Sequence, residues 1–252
     1  MSVERLAELI RSRQPCVVLT GAGISTESGI PDFRSPTGIW AEVDPMEYAS
    51  IRAFRADPEK VWSFYAKRVD MLIGAEPNDG HLVLAELERR GLVRAIVPQN
   101  IDLLHTRAGS KDVVEVHGSI RTASCLDCGR VYPLAAPAKR GAPPTVSTFL
   151  PGPRCECGAV LKPDVVFFGE LLPRAEIDRA YELARAAALM LVVGSALEVF
   201  PVAELPLETL RSGGSVAIVN RGETPLDARA ELKIDGSAGE TLSAVLADVT
   251  DD

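Results

Sequence analysis

The sequence predicts an α/β fold, a parallel sheet with helices on both faces. Short, wholly apolar runs alternate with longer stretches of helical periodicity, the pattern of strands buried on both sides between crossover helices. The chain has 252 residues, 46% hydrophobic and 25% charged, which is the composition of an ordinary globular protein. At about 150 residues per domain, this length fits one large domain, or one with a small appendage.

The first strand is expected at residues 16–20, where Cys16 sits in an apolar run. Others follow at 94–98, 113–116, 165–168, 189–193 and 216–219. Helices are expected at residues 58–73, with Val61, Trp62, Tyr65, Val69 and Leu72 at spacings of three and four, and at 174–188 and 240–247. Between Arg121 and Cys157 the composition changes: five basic residues against two acidic ones, six of the 18 prolines and four of the five cysteines. That stretch shows little periodicity and reads as an inserted module at residues 119–162, dividing the main domain into 1–118 and 163–252.

The net charge of −8 (27 basic, 35 acidic) argues against bulk nucleic-acid binding. The longest apolar run, residues 186–194, falls well short of the ~20 residues a membrane helix needs. Glu4, Arg5, Glu8 and Arg11 interrupt any secretory leader. Five cysteines suit a reduced, cytoplasmic setting better than a disulfide scaffold.

Cys125 and Cys128 are followed by Gly129, and Cys155 and Cys157 by Gly158. Four thiolates where little else builds a core favour a closed tetrahedral zinc site whose binding energy folds the insertion. The competing reading, a redox dithiol, needs a strand end that opens a helix, and Pro133 and Pro137 oppose that.

Residues 17–25 read as a buried strand ending in Gly21-Ala22-Gly23 and opening a helix, a turn that aims backbone N–H groups at a pyrophosphate. A plain tight turn reads the same way, since Thr26 breaks the full glycine fingerprint. Gly29 and Pro31 then break the helix, leaving Asp32, Phe33 and Arg34 on a loop. Asn220-Arg221-Gly222 closes a strand where a ribose ligand is expected. Of the three histidines, His81 and His105 have helix positions that suit packing or capping. His117 is expected to project from the end of the strand at 113–116 into the ligand crevice, where a general base belongs. Gln99, Asn100 and Asp102 line the same crevice.

With these motifs in this order, together with Pro163-Asp164-Val165-Val166-Phe167-Phe168-Gly169-Glu170, the sequence resembles the sirtuins, NAD-dependent protein lysine deacylases, from about Leu19 to Leu242. The resemblance implies a Rossmann-like NAD domain carrying a zinc module, with one structural Zn2+ on Cys125, Cys128, Cys155 and Cys157. It implies His117 as the base, assisted by Asn100 and Asp102. The implied NAD-binding set is Gly21, Ala22, Gly23, Ser25, Asp32, Phe33, Arg34, Trp40, Gln99, Asn100, Ile101, Asp102, Gly194, Ser195, Ala196, Asn220, Arg221, Gly222 and Ala238. An acyl-lysine peptide or protein substrate is expected to add as a strand against residues 166–170, with Val166, Phe168, Gly169 and Glu170 in contact. Ala49, Tyr65 and Arg68 match the sirtuins that accept succinyl and malonyl lysine. Gly194-Ser195-Ala196 departs from the commoner Gly-Thr-Ser, and the spacing from Cys155 to Cys157 is shorter than usual. NAD-dependent ADP-ribosyl transfer is the alternative activity within this family, and a zinc-knuckle binding module is the reading without catalysis.

Overall fold

The computed structural model describes residues 2–33, 35–36, 38–134 and 150–250. The chain opens with α1 (Ser2–Ser12) and β1 (Cys16–Thr20), whose five residues are all buried. Four helices follow, each begun by a side chain that accepts a free N–H of the first turn: α2 (Pro45–Tyr48) by Asp44, α3 (Ile51–Ala56) by Ser50, α4 (Pro58–Gly74) by Asp57 and α5 (Asp79–Arg89) by Asn78. Next come β2 (Ala95–Pro98), α6 (Leu104–Ala108), β3 (Gly118–Ser124), β4 (Val131–Pro133) and β5 (Lys162–Val165). The remainder is α7 (Arg174–Ala186), β6 (Leu189–Val193), α8 (Leu205–Arg211), β7 (Ser215–Val219), β8 (Leu232–Ile234) and α9 (Ala238–Thr250).

The large sheet has the order β2-β1-β6-β7-β8 and is parallel throughout. Its side chains alternate between two cores, as the two-residue strand period requires. Cys16, Val18, Leu191 and Ala217 face Leu6, Ile10, Leu84 and Leu242 of α1, α5 and α9. Val17, Leu19, Val192 and Ile218 face Ala180, Ala184 and Leu205 of α7 and α8.

The strand expected at residues 113–116 is reduced to a single parallel bridge between Val113 and Ile96. Beyond it the chain turns, with Gly118 N–H donating to Glu115 C=O at 2.9 Å, so no further ladder forms. That bridge still fills the place beside β2. Counted with it, the spatial order becomes 3-2-1-4-5-6 and reverses between β1 and β6, where ligands of open α/β sheets bind.

The small sheet, β4-β3-β5, is antiparallel and reaches Val165. The insertion therefore holds strands where little periodicity was read. It also borrows its core: Ile120, Ala123, Leu134 and Leu161 pack on Phe54, Trp62, Ala66 and Val69 of α3 and α4. The Trp62 indole N–H donates to Leu161 C=O at 2.8 Å. The expected strand at 165–168 ends its ladder at Val165, and Phe168 instead bridges Ser50. Among the described residues no helix is long and apolar enough to cross a membrane.

Candidate functional site

At the point of strand-order reversal two glycine turns meet backbone to backbone. Gly21 N–H donates to Val193 C=O at 3.0 Å and Gly23 N–H to Gly194 C=O at 2.8 Å. Gly194 has φ +61°, and a Cβ there would lie 2.3 Å from Ile24 N, which no side chain tolerates. The segment after β1 is a 3-10 turn, Ala22–Ser28, closed by Gly29 at φ +81°. The helix expected to open there is this tighter turn.

The loop beyond folds back on itself. Ile39 N–H and Trp40 N–H donate to the carbonyls of Asp32 and Phe33, both at 2.9 Å. Trp40 stacks on Phe33 with ring centroids 5.2 Å apart, and its other neighbours are Phe64 and Phe168. Arg34, expected on this loop, lies outside the described residues.

Polar groups from β2 and the segment after it gather against the glycine turn. Gln99 donates from Nε2 to Ser195 Oγ at 2.8 Å. Asn100 Nδ2 donates to Gly21 C=O at 3.1 Å and to Ser25 Oγ at 2.9 Å, and Ser25 in turn donates to Asp102 Oδ2 at 2.7 Å. The other carboxylate oxygen of Asp102 accepts from Leu104 N–H at 2.9 Å. Every polar member of this chain has a partner that fixes its orientation.

His117 Nδ1 lies 2.9 Å from Gln99 C=O. A carbonyl only accepts, so Nδ1 carries the hydrogen and Nε2 keeps its lone pair. Burial pushes the His117 pKa below its ordinary value, with the Gln99 carbonyl opposing, so the ring is neutral at pH 7.

His81 and His105 do cap and pack, as expected, but they also sit directly behind this cluster. His81 Nδ1 accepts Asn78 N–H at 3.3 Å, and its Nε2 lies 3.5 Å from Ser25 Oγ. The two rings lie 4.8 Å apart, and His105 Nε2 meets Thr20 Oγ1 at 2.9 Å. Burial drives the His81 pKa down to about 4 and that of His105 well below its ordinary value. The sequence reading missed the contact to Ser25, because capping already accounted for His81.

The glycine turn, the loop with Phe33 and Trp40, the polar cluster and His117 open on one cavity of about 1190 Å³, which Ile101, Ser195, Ala196, Asn220, Arg221 and Ala238 also line. Gly222 is not on that wall: it makes the turn after β7, with φ +80°, and its N–H donates to Asp235 Oδ1. Asn220 spends its amide N–H on Arg221 C=O at 2.9 Å, leaving its side-chain oxygen for a ligand. Glu27, not anticipated from sequence, accepts from Ser237 Oγ at 2.7 Å and from Gly239 N–H at 3.1 Å at the start of α9.

The same cavity is lined by Ala49, Tyr65, Arg68, Val166, Phe168, Gly169 and Glu170. A single small ligand needs roughly 300–1,000 Å³, so there is room for a cofactor and part of a second molecule. Tyr65 and Arg68 share the face of α4 predicted for them. Arg68 lies over the Phe64 ring at 4.1 Å, and burial lowers its pKa. No carboxylate among the described residues pairs with it. Tyr65 is buried against Phe167 and Phe64, which pushes its phenol pKa up. The Glu170 carboxylate, expected toward substrate, is engaged within the protein: it accepts Phe167 N–H at 2.7 Å and pairs with Lys162 at 3.0 Å.

The four cysteines of the insertion converge, with all four sulfurs within 4.8 Å of one another. Cys125 and Cys157 are 3.5 Å apart and Cys128 and Cys155 3.4 Å. A tetrahedral Zn2+ with ~2.3 Å bonds needs sulfurs about 3.8 Å apart, so the donor set fits. Gly129 and Gly158, with φ +73° and +95°, close the two knuckles. Cys16 is separate, buried at the start of β1, with its thiol pushed up to about 12.

Residues 21–201 match the Sir2 family. An NAD-dependent protein deacetylase of Sulfurisphaera tokodaii is 43% identical over 250 residues, covering 98% of this chain and 95% of that protein. NAD-dependent protein deacylase 1 of Archaeoglobus fulgidus is 40% identical over 244 residues, with 96% of each covered. A Sir2 enzyme solved with a deacetylated peptide and 3'-O-acetyl-ADP-ribose superposes with TM-score 0.90 at 40% identity, covering 98% of both chains. Sir2Tm bound to a propionylated peptide gives 0.85 at 38%, again covering 98% of both. The strand reversal with its paired glycine turns, the His117 cluster and the four-cysteine lobe thus occur in a chain that belongs to the Sir2 family.

Proposed function

We propose that this protein is an NAD-dependent protein lysine deacylase whose acyl pocket accepts dicarboxylic groups, succinyl and malonyl, as well as acetyl. NAD, when bound, supplies an electrophilic ribose carbon with nicotinamide as leaving group, and the acyl group ends on ADP-ribose. His117 is the base for a ribose hydroxyl. Its Nε2 receives the proton, Gln99 C=O holds the tautomer, and burial keeps the ring unprotonated before the step.

Asn100 and Asp102, held by Ser25, position the ribose and nicotinamide. Ala22 N–H, at the start of the turn whose Gly21 and Gly23 N–H groups are spent on Val193 and Gly194, would face the pyrophosphate, and Ser195, Asn220 and Ala238 would contact the adenosine. Phe33 and Trp40 cover the reacting end and exclude water, while Phe168 borders the channel for the lysine. The four cysteines hold a Zn2+ that stabilises the small lobe and takes no part in the reaction.

The observation that carries the acyl preference is Arg68: a half-buried guanidinium in the cavity wall with no carboxylate among the described residues paired with it. A distal carboxylate on the acyl group supplies that partner, and the Tyr65 hydroxyl adds a hydrogen bond. Acetyl leaves both unmatched. The test is incubation with NAD and matched acetyl-, malonyl- and succinyl-lysine peptides, following nicotinamide and O-acyl-ADP-ribose. Efficient removal of all three is expected. Removal of acetyl alone excludes the acid pocket, and label from NAD on a protein target without loss of acyl favours ADP-ribosyl transfer.

A further inference from the structure

Residues 166–170, against which the substrate strand is expected to add, are held from beneath by one buried lysine. Lys162 has only 7% of its surface exposed. Its ammonium donates to Val165 C=O at 2.8 Å and Pro163 C=O at 3.1 Å and pairs with Glu170 at 3.0 Å. It also lies 4.3 Å from the centre of the Phe167 ring. All three of its hydrogens are used.

The Glu170 carboxylate also accepts Phe167 N–H, so the pair ties both ends of the turn together. On the opposite side Phe168 exchanges hydrogen bonds with Ala49 C=O, at 2.8 Å, and Ile51 N–H, at 3.0 Å. Lys162 is therefore the inner fastening of a turn whose outer fastening is the chain before α3. It opens β5 and pairs in register with Ser124, the residue before Cys125, which links the turn to the cysteine lobe.

We propose that Lys162 is a positioning residue for the acyl-lysine peptide: its ion pair with Glu170 holds residues 166–170 in the shape that receives the substrate strand. The proposal rests on the deacylase reading above. The physical argument is asymmetry of burial. The Lys162 side chain is 8% exposed and Glu170 22%, so removing the lysine frees Glu170 to turn toward water and carry the turn with it. A strand-addition site that must first be ordered loses affinity for the strand, whereas the cofactor-facing turns after β1, β6 and β7 are fastened by their own hydrogen bonds.

The experiment compares wild type, K162M, E170Q and the double variant by steady-state kinetics, varying acyl-peptide at saturating NAD and NAD at saturating peptide, with thermal melts of each. The expected result is a rise in peptide KM of about tenfold in each single variant, KM for NAD within about twofold, and a double variant no worse than either single one. A folded K162M or E170Q with unchanged peptide KM overturns the proposal, as does an equal rise in both KM values. If K162M does not fold, E170Q, which keeps the shape and removes the charge, decides alone. Wild-type protein without NAD-dependent deacylation defeats the deacylase reading itself, a result separate from these.

Discussion

The ring nitrogen Nδ1 of His117 and the main-chain carbonyl of Gln99 are 2.9 Å apart, and this hydrogen bond decides which nitrogen of the only crevice-facing histidine among the described residues is basic. Gln99 is itself anchored, its N–H donating to Thr20 C=O at the end of β1 and its amide to Ser195 after β6. The orientation of the ring is thus inherited from the two central strands rather than from the loops around it.

Replacing His117 with Ala is expected to lower kcat by roughly 10²–10⁴, the range for losing a general base. Melting temperature should stay near the wild-type value, since one half-buried ring is lost without breaking the strands. Activity retained at the wild-type level would remove the mechanism.

Burial lowers the His117 pKa, so the basic, neutral form persists below the ordinary histidine value. The acid limb of kcat/KM is therefore expected to have its midpoint below pH 6.5, with activity rising as pH increases through it. A limb centred at or above 6.5 would contradict the assigned tautomer and burial. The measurement is a pH–rate profile at low peptide concentration.

Replacing Arg68 with Met should depress desuccinylation by about 100-fold while changing deacetylation by only about threefold, because a charge-assisted pair is lost in the first case alone. Equal loss with both peptides would sink the acid pocket and assign Arg68 to packing over Phe64.

His81 and His105 are buried and neutral in the fold, with pKa values below those of the unfolded chain. Protonation favours the unfolded state, so the stability tied to them is full above about pH 6.5 and is lost as pH falls toward the folded value, about 4 for His81. Denaturant midpoints measured between pH 7.5 and 4.5 should fall in acid, and a flat profile would refute the burial argument.

Stripping metal with a strong chelator should remove one Zn2+ per chain and melt the small lobe first, because Cys125 and Cys155 are part of its core. Trp62 lies in that core, so its fluorescence is the probe. Loss of structure confined to the large sheet would count against the assignment.

Much of this was legible in the sequence because single local rules dictated it. Residues 16–20 and 189–193 have no reading except buried strands, and the glycines beyond them permit a backbone contact that no other residue allows. The cysteine knuckles announce themselves by spacing. What was not legible depends on distant partners. Val113 and Val114 read as a strand, but only one bridge forms before the chain turns at Glu115. The insertion looked coreless because its core residue Trp62 lies on α4, far away in sequence. Glu170 read as substrate-facing, and its commitment to Lys162 shows only once β5 is placed beneath the turn.

The central claim is that the groups around His117 remove an acyl group from lysine at the expense of NAD. A quenched time course with one succinyl-lysine peptide, resolved by mass spectrometry, tests it most directly. Deacylated peptide, nicotinamide and O-succinyl-ADP-ribose should appear in equal amounts, and none should form without NAD. Deacylation that proceeds without NAD, or nicotinamide released with the peptide still succinylated, would contradict it.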